Sequence, residues 1–169
     1  NPLLYRPAFH PREPTMASIT DDAPFSLKTD TGFWRPENYS GGYYGLTTLF
    51  DALVHSRNVV TVRLASQIGI GTVIDYARAL GITERFEPDL ALALGAQGVS
   101  VLEMVNAYGV FAAKGVYERP KLITRVEDRY GRVVYQAASE PVQAISPETT
   151  SAPARVTATS HRGSRFLPR

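Results

Sequence analysis

Residues 38–70 read NYSGGYYGLTTLFDALVHSRNVVTVRLASQIGI, and this stretch changes from a loop to regular structure along its length. It begins with glycines and tyrosines, a composition typical of loops. Thr48 then stands three residues before Asp51, the spacing at which a hydroxyl and a carboxylate cap the start of a helix. Asn58 is suited to cap a second helix over residues 59–68. The stretch therefore predicts two consecutive helices joined by the short segment HSRN.

The same start signal recurs twice further along the chain, and each of these later helices is followed by a glycine suited to a left-handed stop. The residues are Thr72, Asp75 and Gly81 for one helix, and Ser100, Glu103 and Gly115 for the other, with Gly69 ending the helix before them. Apolar residues at helical spacing predict the faces that join the core. These are Val59, Val62 and Ala65 on the helix after HSRN, and Val101, Met104 or Val105, Tyr108, and Phe111 or Ala112 on the last helix.

Strands are predicted with less regularity than helices. Residues 122–126 and 132–135 flank the turn sequence DRYG at residues 128–131, which predicts a β-hairpin. Residues 21–24 (DDAP) are predicted to form a turn, and residues 34–45 a loop. Several helices followed by one strand pair indicate an α+β fold in which part of the sheet is supplied by other segments.

Composition excludes several classes of function. The 169 residues contain no cysteine, which rules out disulfides and thiolate metal sites, and no metal site is predicted. A net charge of +2, with arginines concentrated in the tail, does not indicate a nucleic-acid partner. No apolar run approaches the ~20 residues of a membrane helix, and the start of the chain lacks the features of a signal peptide. If the protein works outside the membrane, its export signal is missing from these 169 residues.

The two ends of the chain differ from its middle. Residues 1–15 carry four prolines, which prevent a continuous helix or a central strand. Residues 149–169 are rich in Ser, Thr, Arg and Pro and are expected to be disordered. The sequence thus predicts an irregular terminus over residues 1–15, one structured domain over residues 16–148 and a loose tail over residues 149–169.

The segment HSRN places His55 beside Ser56, four residues after Asp51, which raises the possibility of a Ser/His/Asp catalytic triad. Asp51 and His55 can pair on one helix face at this spacing. Ser56, however, projects away from its neighbour, and such triads gather residues that are distant in sequence. The triad is therefore rejected. From these residues alone, Ser56 and Asn58 are most simply the polar ends of two helices.

Several segments in order give the chain a resemblance to a known family. They are residues 38–70, quoted above, LALALGAQGVSVLEMVNAYGVFAAKGV at residues 90–116, and ITRVEDRYGRVVY at residues 123–135. Together they resemble the transpeptidase domain of class A penicillin-binding proteins over about residues 16–148. The resemblance implies a fragment of the α+β penicillin-binding and β-lactamase-like transpeptidase fold, mainly its helical part and one hairpin of its antiparallel sheet.

In that family three motifs build one acyl-transfer site: S-x-x-K, S-x-N and K-T-G. The resemblance makes Ser56 the proton-relay hydroxyl of S-x-N and Asn58 the amide that binds the substrate. Arg57 occupies the variable position and receives no role. The implied reaction is peptidoglycan cross-linking by D,D-transpeptidation of stem peptides ending in D-Ala-D-Ala, with β-lactams as substrate mimics. This chemistry needs no metal or organic cofactor, and its implied location is periplasmic, at the outer face of the bacterial cytoplasmic membrane.

Two of the three motifs do not occur in these 169 residues. The three lysines, Lys28, Lys114 and Lys121, stand three residues after Phe25, Phe111 and Glu118, so none completes S-x-x-K, and K-T-G is absent. No nucleophile is therefore assigned, and the chain alone is expected to be inactive. The abrupt loss of the family pattern at both ends is interpreted as a shift of reading frame or a truncation of a longer parent.

A second hypothesis belongs to another class of function. The chain would then be a non-catalytic remnant, or a glycan- or peptide-binding module that uses the loop WRPENYSGGYYG at residues 34–45. Aromatic rings in such a loop can stack on sugars. The aromatic side chains of this loop, Trp34, Tyr39, Tyr43 and Tyr44, are expected instead to pack over the edge of the cleft. The sequence leaves the oligomeric state open.

Overall fold

A computed structural model describes residues 15–29, 32–147 and 150. Within these residues the helices are α1 (Leu49–Val54), α2 (Asn58–Ile68), α3 (Ile70–Ala79) and α4 (Val101–Ala112), with a 3-10 helix at Leu90–Leu94. The strands are β1 (Ile19–Asp22), β2 (Leu27–Thr29), β3 (Gly32–Trp34), β4 (Gly45–Thr48), β5 (Val116–Tyr117), β6 (Arg125–Glu127), β7 (Val133–Gln136) and β8 (Val142–Gln143). The predicted α+β class is confirmed.

The eight strands of the described residues form four separate antiparallel pairs: β1 with β4, β2 with β3, β5 with β8, and β6 with β7. In the first pair Ile19 lies opposite Thr48 and Asp22 lies opposite Gly45, so β1 runs beside the strand that leads directly into α1. The predicted turn at residues 21–24 is therefore wrong in its first half. Asp21 and Asp22 belong to β1, because pairing with a distant strand overrides the local turn preference of aspartate.

Helix α2 is the most deeply buried helix of the described residues. The predicted face of Val59, Val62 and Ala65 is buried, and so are Val60, Thr61 and Leu64. One core cluster joins α1 and α2 to the 3-10 helix, and a second joins α3 and α4 to Ile145. The HSRN junction thus lies between two helices whose apolar sides are fixed in the same core.

The predicted core face of α4 is wrong in phase. Ala107, Val110 and Phe111 are buried, and of the predicted face only Phe111 is among them. The opposite stripe is exposed and consists of Val101, Leu102, Val105 and Tyr108. Helix α4 is apolar on nearly every side, so periodicity cannot select one face. The small side chain at position 107 allows close approach to the core, which explains the face that is buried.

The exposed stripe of α4 leads to a measurable expectation. Val105, with 64% of its surface exposed, lies in the middle of an apolar patch of the kind that binds amphiphilic dyes. Val105→Lys is expected to lower the fluorescence of bound anilinonaphthalene sulfonate, because a charge interrupts the patch. Gln67→Lys adds the same charge at an exposed position of α2 and is the control. Equal dye fluorescence in Val105→Lys and the parent protein would contradict this expectation.

Two of the three helix starts predicted from a hydroxyl residue followed by an acidic residue are confirmed. Thr48 Oγ1 accepts a hydrogen bond from the Asp51 N–H at 3.0 Å. Ser100 Oγ accepts one from the Glu103 N–H at 3.2 Å. The predicted cap at Thr72 is wrong, because α3 begins at Ile70 and the Thr72 hydroxyl donates to the Ile68 carbonyl at 3.0 Å. Gly69, with φ of +85°, both ends α2 and starts α3, which leaves no room for a separate cap.

The glycine predicted to end α3 does so, whereas the end of α4 differs from the prediction. Gly81 follows α3 with φ of +88°, as expected. After α4 the first left-handed residue is Lys114, with φ of +55°, and Gly115 follows with φ of +92°. The predicted hairpin is present, although its first strand is shorter than predicted and begins at Arg125, and its second strand is shifted by one residue and begins at Val133.

The predictions for the chain ends, at residues 1–14 and 151–169, lie outside the described residues. The predicted domain boundaries remain predictions. In the part of the chain that the structure describes, no helix has both the length and the apolar character needed to cross a membrane.

Candidate substrate-binding site

The HSRN segment forms a tight helix stop that holds Ser56 in an uncommon backbone conformation. The Ser56 N–H donates to the Leu53 carbonyl at 3.2 Å, and the Arg57 N–H donates to the Ala52 carbonyl at 2.8 Å. This pair of bonds is the Schellman motif that terminates many helices. Ser56 occupies its left-handed position with φ of +53°, where glycine or asparagine is usual and serine is rare. The side chain of Ser56 is exposed, so the strained turn presents a hydroxyl to solvent.

The rejected Ser/His/Asp triad has no geometric support in this structure. His55 Nδ1 lies 2.9 Å from the backbone carbonyl oxygen of Asp51, not from its carboxylate. The Asp51 carboxylate instead accepts the Thr48 hydroxyl at 2.7 Å. The Asp51 carboxylate therefore stabilises the start of the short helix α1, and His55 lies at its end.

Asn58 does not cap α2, which corrects the sequence prediction. It is the first residue of the helix, Arg57 stands at the capping position, and the Arg57 side chain makes no capping hydrogen bond. A residue from the preceding loop supplies the cap: Asn38 Oδ1 accepts the Val59 N–H at 3.2 Å. The Asn58 amide is thereby free of the capping task and donates from Nδ2 to the Glu37 carbonyl at 3.2 Å.

Asp22 and Asn38 form a buried polar pair beneath the turn. Asp22 is fully buried, and Asn38 Nδ2 lies 2.8 Å and 3.0 Å from its two carboxylate oxygens. The same amide nitrogen donates to the Gly42 carbonyl at 2.9 Å. The sequence did not predict that either residue is buried. Asp22 belongs to a DDAP segment and Asn38 to a glycine-rich loop, and both segments have the composition of exposed turns.

Arg57 lies between this buried pair and the aromatic loop. Its guanidinium carbon is 3.3 Å from the centre of the Tyr44 ring, and its Nε is 4.0 Å from Asp22 Oδ2. The Tyr44 hydroxyl donates to Ser40 Oγ at 3.0 Å. The Ser40 hydrogen bond and, next, the Arg57 guanidinium hold the pKa of the Tyr44 phenol below its usual value. The sequence had assigned Arg57 no role, and nothing in its local pattern distinguishes it from an exposed arginine.

The other aromatic side chains of the loop do not gather at this turn. Tyr39 is fully exposed, so its predicted packing over the cleft edge is wrong. Trp34 belongs to β3 and lines a separate open cleft of about 810 Å³, together with Lys28 and Asp89. Tyr44 alone of these residues stacks on the S-x-N segment. Among the described residues no cluster of His, Cys, Asp or Glu has the arrangement of a metal site.

Residues 16–153 match the family model described as penicillin binding protein transpeptidase domain. Penicillin-binding protein 1A of Clostridium novyi is 36% identical over 145 residues, which cover 79% of this chain and 17% of that protein. Penicillin-binding protein 1A of Rickettsia bellii is 32% identical over 120 residues, covering 70% of this chain and 15% of that protein. The chain therefore spans less than a fifth of the length of these relatives.

Solved structures show the same fold. Penicillin-binding protein 1A from Haemophilus influenzae superposes with a TM-score of 0.87 and 23% identity, over 99% of this chain and 30% of that one. The PonA1 protein from Mycobacterium tuberculosis in complex with penicillin V superposes with a TM-score of 0.78 and 23% identity, over 95% of this chain and 46% of that one. At 23% identity, these two superpositions establish a shared fold and nothing more specific.

Proposed function

The chain belongs to the penicillin-binding protein transpeptidase family, and from that premise we propose that it contributes the S-x-N part of a serine acyl-transfer site. The proposed reaction of the complete site is D,D-transpeptidation, in which stem peptides ending in D-Ala-D-Ala are cross-linked. β-Lactams are the proposed substrate mimics. The relative PonA1 has been solved in complex with penicillin V, which supports a β-lactam site in the family.

The left-handed turn at Ser56 supports this proposal most directly. A strained, exposed serine persists only where the surrounding structure holds it, and such positions cluster at functional sites. Here the turn is held by two backbone bonds to α1 and by the packing of α1 and α2 in one core. An exposed hydroxyl with a fixed backbone is what a proton relay requires.

The two site residues have different proposed roles. In the complete site the serine of an S-x-x-K motif attacks the carbonyl carbon of the penultimate D-Ala. Its proton passes through the lysine and the Ser56 hydroxyl to the departing D-Ala amine. Asn58 uses one Nδ2 hydrogen on the Glu37 carbonyl, and its second hydrogen and Oδ1 remain for the substrate backbone. This chemistry supplies its own acid and base, so no cofactor is proposed.

The proposed location follows from the proposed substrate. Peptidoglycan is assembled outside the cytoplasmic membrane, so the site acts on the periplasmic or outer side. We assign the membrane tether to the full-length parent, since the matched relatives are more than five times the length of the matched region.

A chimera tests the assignment of Ser56 and Asn58. An S-x-x-K helix from a family member is joined before Met16 and a K-T-G segment after residue 148, and acylation by a fluorescent penicillin is followed in time. Ser56→Ala is expected to slow acylation by about 100-fold, the contribution typical of one acid–base group. Asn58→Ala is expected to slow acylation as well, because it removes the amide that binds the substrate backbone. Ser66→Ala, an exposed hydroxyl on α2, is the matched control and should label at the parent rate. Acylation at the parent rate in both site variants would refute the assignment.

A further inference from the structure

Arg57, the middle residue of Ser56-Arg57-Asn58, is enclosed by more elements than either of its neighbours. We propose that Arg57 is a positioning residue of the acyl-transfer site: its guanidinium, held between the Asp22 carboxylate and the Tyr44 ring, fixes the turn that presents Ser56 and Asn58. This inference rests on the function proposed above for that turn. It assigns a role to a position that the motif leaves variable.

The buried charge of Asp22 gives the first step. A carboxylate removed from water is unfavourable unless it is hydrogen-bonded and paired with a cation. Asn38 supplies hydrogen bonds to both oxygens, and the Arg57 Nε, 4.0 Å away, supplies the positive charge. The ion pair therefore ties the S-x-N turn to the end of strand β1.

The Tyr44 ring gives the second step. The guanidinium lies 3.3 Å from the ring centre, and the Arg57 side chain is only 18% exposed. A guanidinium is planar and can stack on a ring while its edge faces a carboxylate, whereas a lysine ammonium is a point charge that cannot do both. The arrangement thus calls for arginine and not for any cation.

The backbone of Arg57 gives the third step. Its N–H donates to the Ala52 carbonyl at 2.8 Å, and its carbonyl oxygen accepts the Thr61 N–H at 3.0 Å. The residue is therefore bonded to α1 on one side and to α2 on the other, while its side chain reaches β1 and the loop. A shift of Arg57 must move Ser56 and Asn58, because they are its covalent neighbours.

A parallel set of bonds shows that the loop is built to hold this turn. The Glu37 carbonyl accepts the Asn58 amide, and Asn38 Oδ1 accepts the Val59 N–H. Two consecutive loop residues thus engage the first two residues of α2. Asn38 also links this contact to Asp22, so the loop, the strand and the turn form one connected polar network.

The first test uses the 169-residue protein and needs no enzymatic activity. Tyrosine ring ¹³Cζ resonances are titrated by NMR with Tyr44→Phe to assign Tyr44, and the intraresidue amide-to-Hα NOE of Ser56 reports its left-handed backbone. In Arg57→Ala and Arg57→Lys the Tyr44 pKa is expected to rise and the Ser56 NOE to weaken. Arg63→Ala is the matched control. Arg63 lies on α2, and its guanidinium stacks on Phe25, not on Tyr44, and donates to the Ala23 carbonyl. This variant should leave both signals unchanged.

The second test measures penicillin acylation in the chimera. Arg57→Ala and Arg57→Lys are expected to reduce the first-order acylation step by about 100-fold, the loss that a misplacement of about 1 Å causes, with little change in the concentration for half-saturation. If the parent chimera is acylated and both variants react at the parent rate, the positioning role is overturned and the proposed function stands. If no chimera is acylated, the proposed function fails. The NMR result then still decides whether Arg57 fixes the turn, and unchanged Tyr44 and Ser56 signals in both variants would overturn it.

Discussion

A protein of these 169 residues is expected to form no covalent adduct with penicillin and to release no D-alanine from a D-Ala-D-Ala peptide. Acylation needs an activated serine, and the serine that the family resemblance brings to the site is Ser56. Its assigned task is to pass on a proton, and the sequence offers no lysine three residues after any serine. In serine hydrolases, loss of the nucleophile alone lowers turnover by a factor of ~10⁶. Loss of the K-T-G strand removes a preorganised positive charge as well.

Mass spectrometry of the intact protein after incubation with penicillin measures this directly. The positive control is the chimera that carries both missing motifs, which should gain the mass of one penicillin. The expected spectrum of the 169-residue protein shows the unmodified mass alone. A stoichiometric adduct on any serine of the natural sequence would show that the nucleophile has been misassigned.

The local signals of the sequence predicted those parts of the fold that depend on neighbours in the chain. The caps at Thr48 and Ser100 and the stop at Gly81 each involve residues within one helical turn, and all are confirmed. The family was also predictable, because its segments occur in order. The match of residues 16–153 to the family model confirms that resemblance.

The errors concern residues whose conformation is set by distant partners. Asp22 has the local sequence of a turn residue, but it pairs with β4 as part of β1, accepts hydrogen bonds from Asn38 and lies beside the Arg57 guanidinium. Asn58 reads as a cap, but Asn38 performs that task from the loop. Each of these contacts joins residues at least sixteen positions apart, beyond the reach of any helix or turn pattern. The S-x-N motif therefore suffices to propose the site, whereas the network that holds the turn could not be predicted from the sequence.

The α4 prediction failed for a different reason. Its apolar residues occur on all sides, so two core faces fit the spacing about equally well. The face that is buried contains Ala107, whose small side chain lets the helix approach Ile82 and Phe86 of the same cluster. Packing complementarity, which a single sequence does not display, decided between the two faces.

The junction between α4 and β5 is expected to tolerate no side chain at Gly115. This residue has φ of +92°, and an added Cβ would lie 2.0 Å from the carbonyl oxygen of Ile145. The Gly115 carbonyl also accepts the Ala144 and Ile145 N–H groups, at 2.9 Å and 3.2 Å, so the two backbones are fixed against each other. The contacting atom belongs to the backbone and cannot rotate away. Backbone strain and overpacking together are expected to lower the free energy of unfolding by roughly 2–6 kcal/mol in Gly115→Ala.

Gly109→Ala provides the matched control, because it makes the same change six residues earlier within α4. An added Cβ at Gly109 meets no atom within 4 Å, and the backbone there is helical. Alanine is favoured over glycine inside a helix by roughly 0.5–1 kcal/mol, so this variant is expected to be more stable than the parent protein. Urea denaturation followed by circular dichroism measures both. The changes in unfolding free energy are expected to have opposite signs, since each substitution adds one methyl group but only Gly115 combines a positive φ with close contacts to Ile145 and Gln143. A Gly115→Ala protein with the unfolding midpoint of the parent would mean that the backbone at Ile145 can move away from Gly115 without loss of stability. The second core cluster, which includes Ile145, would then not depend on this junction.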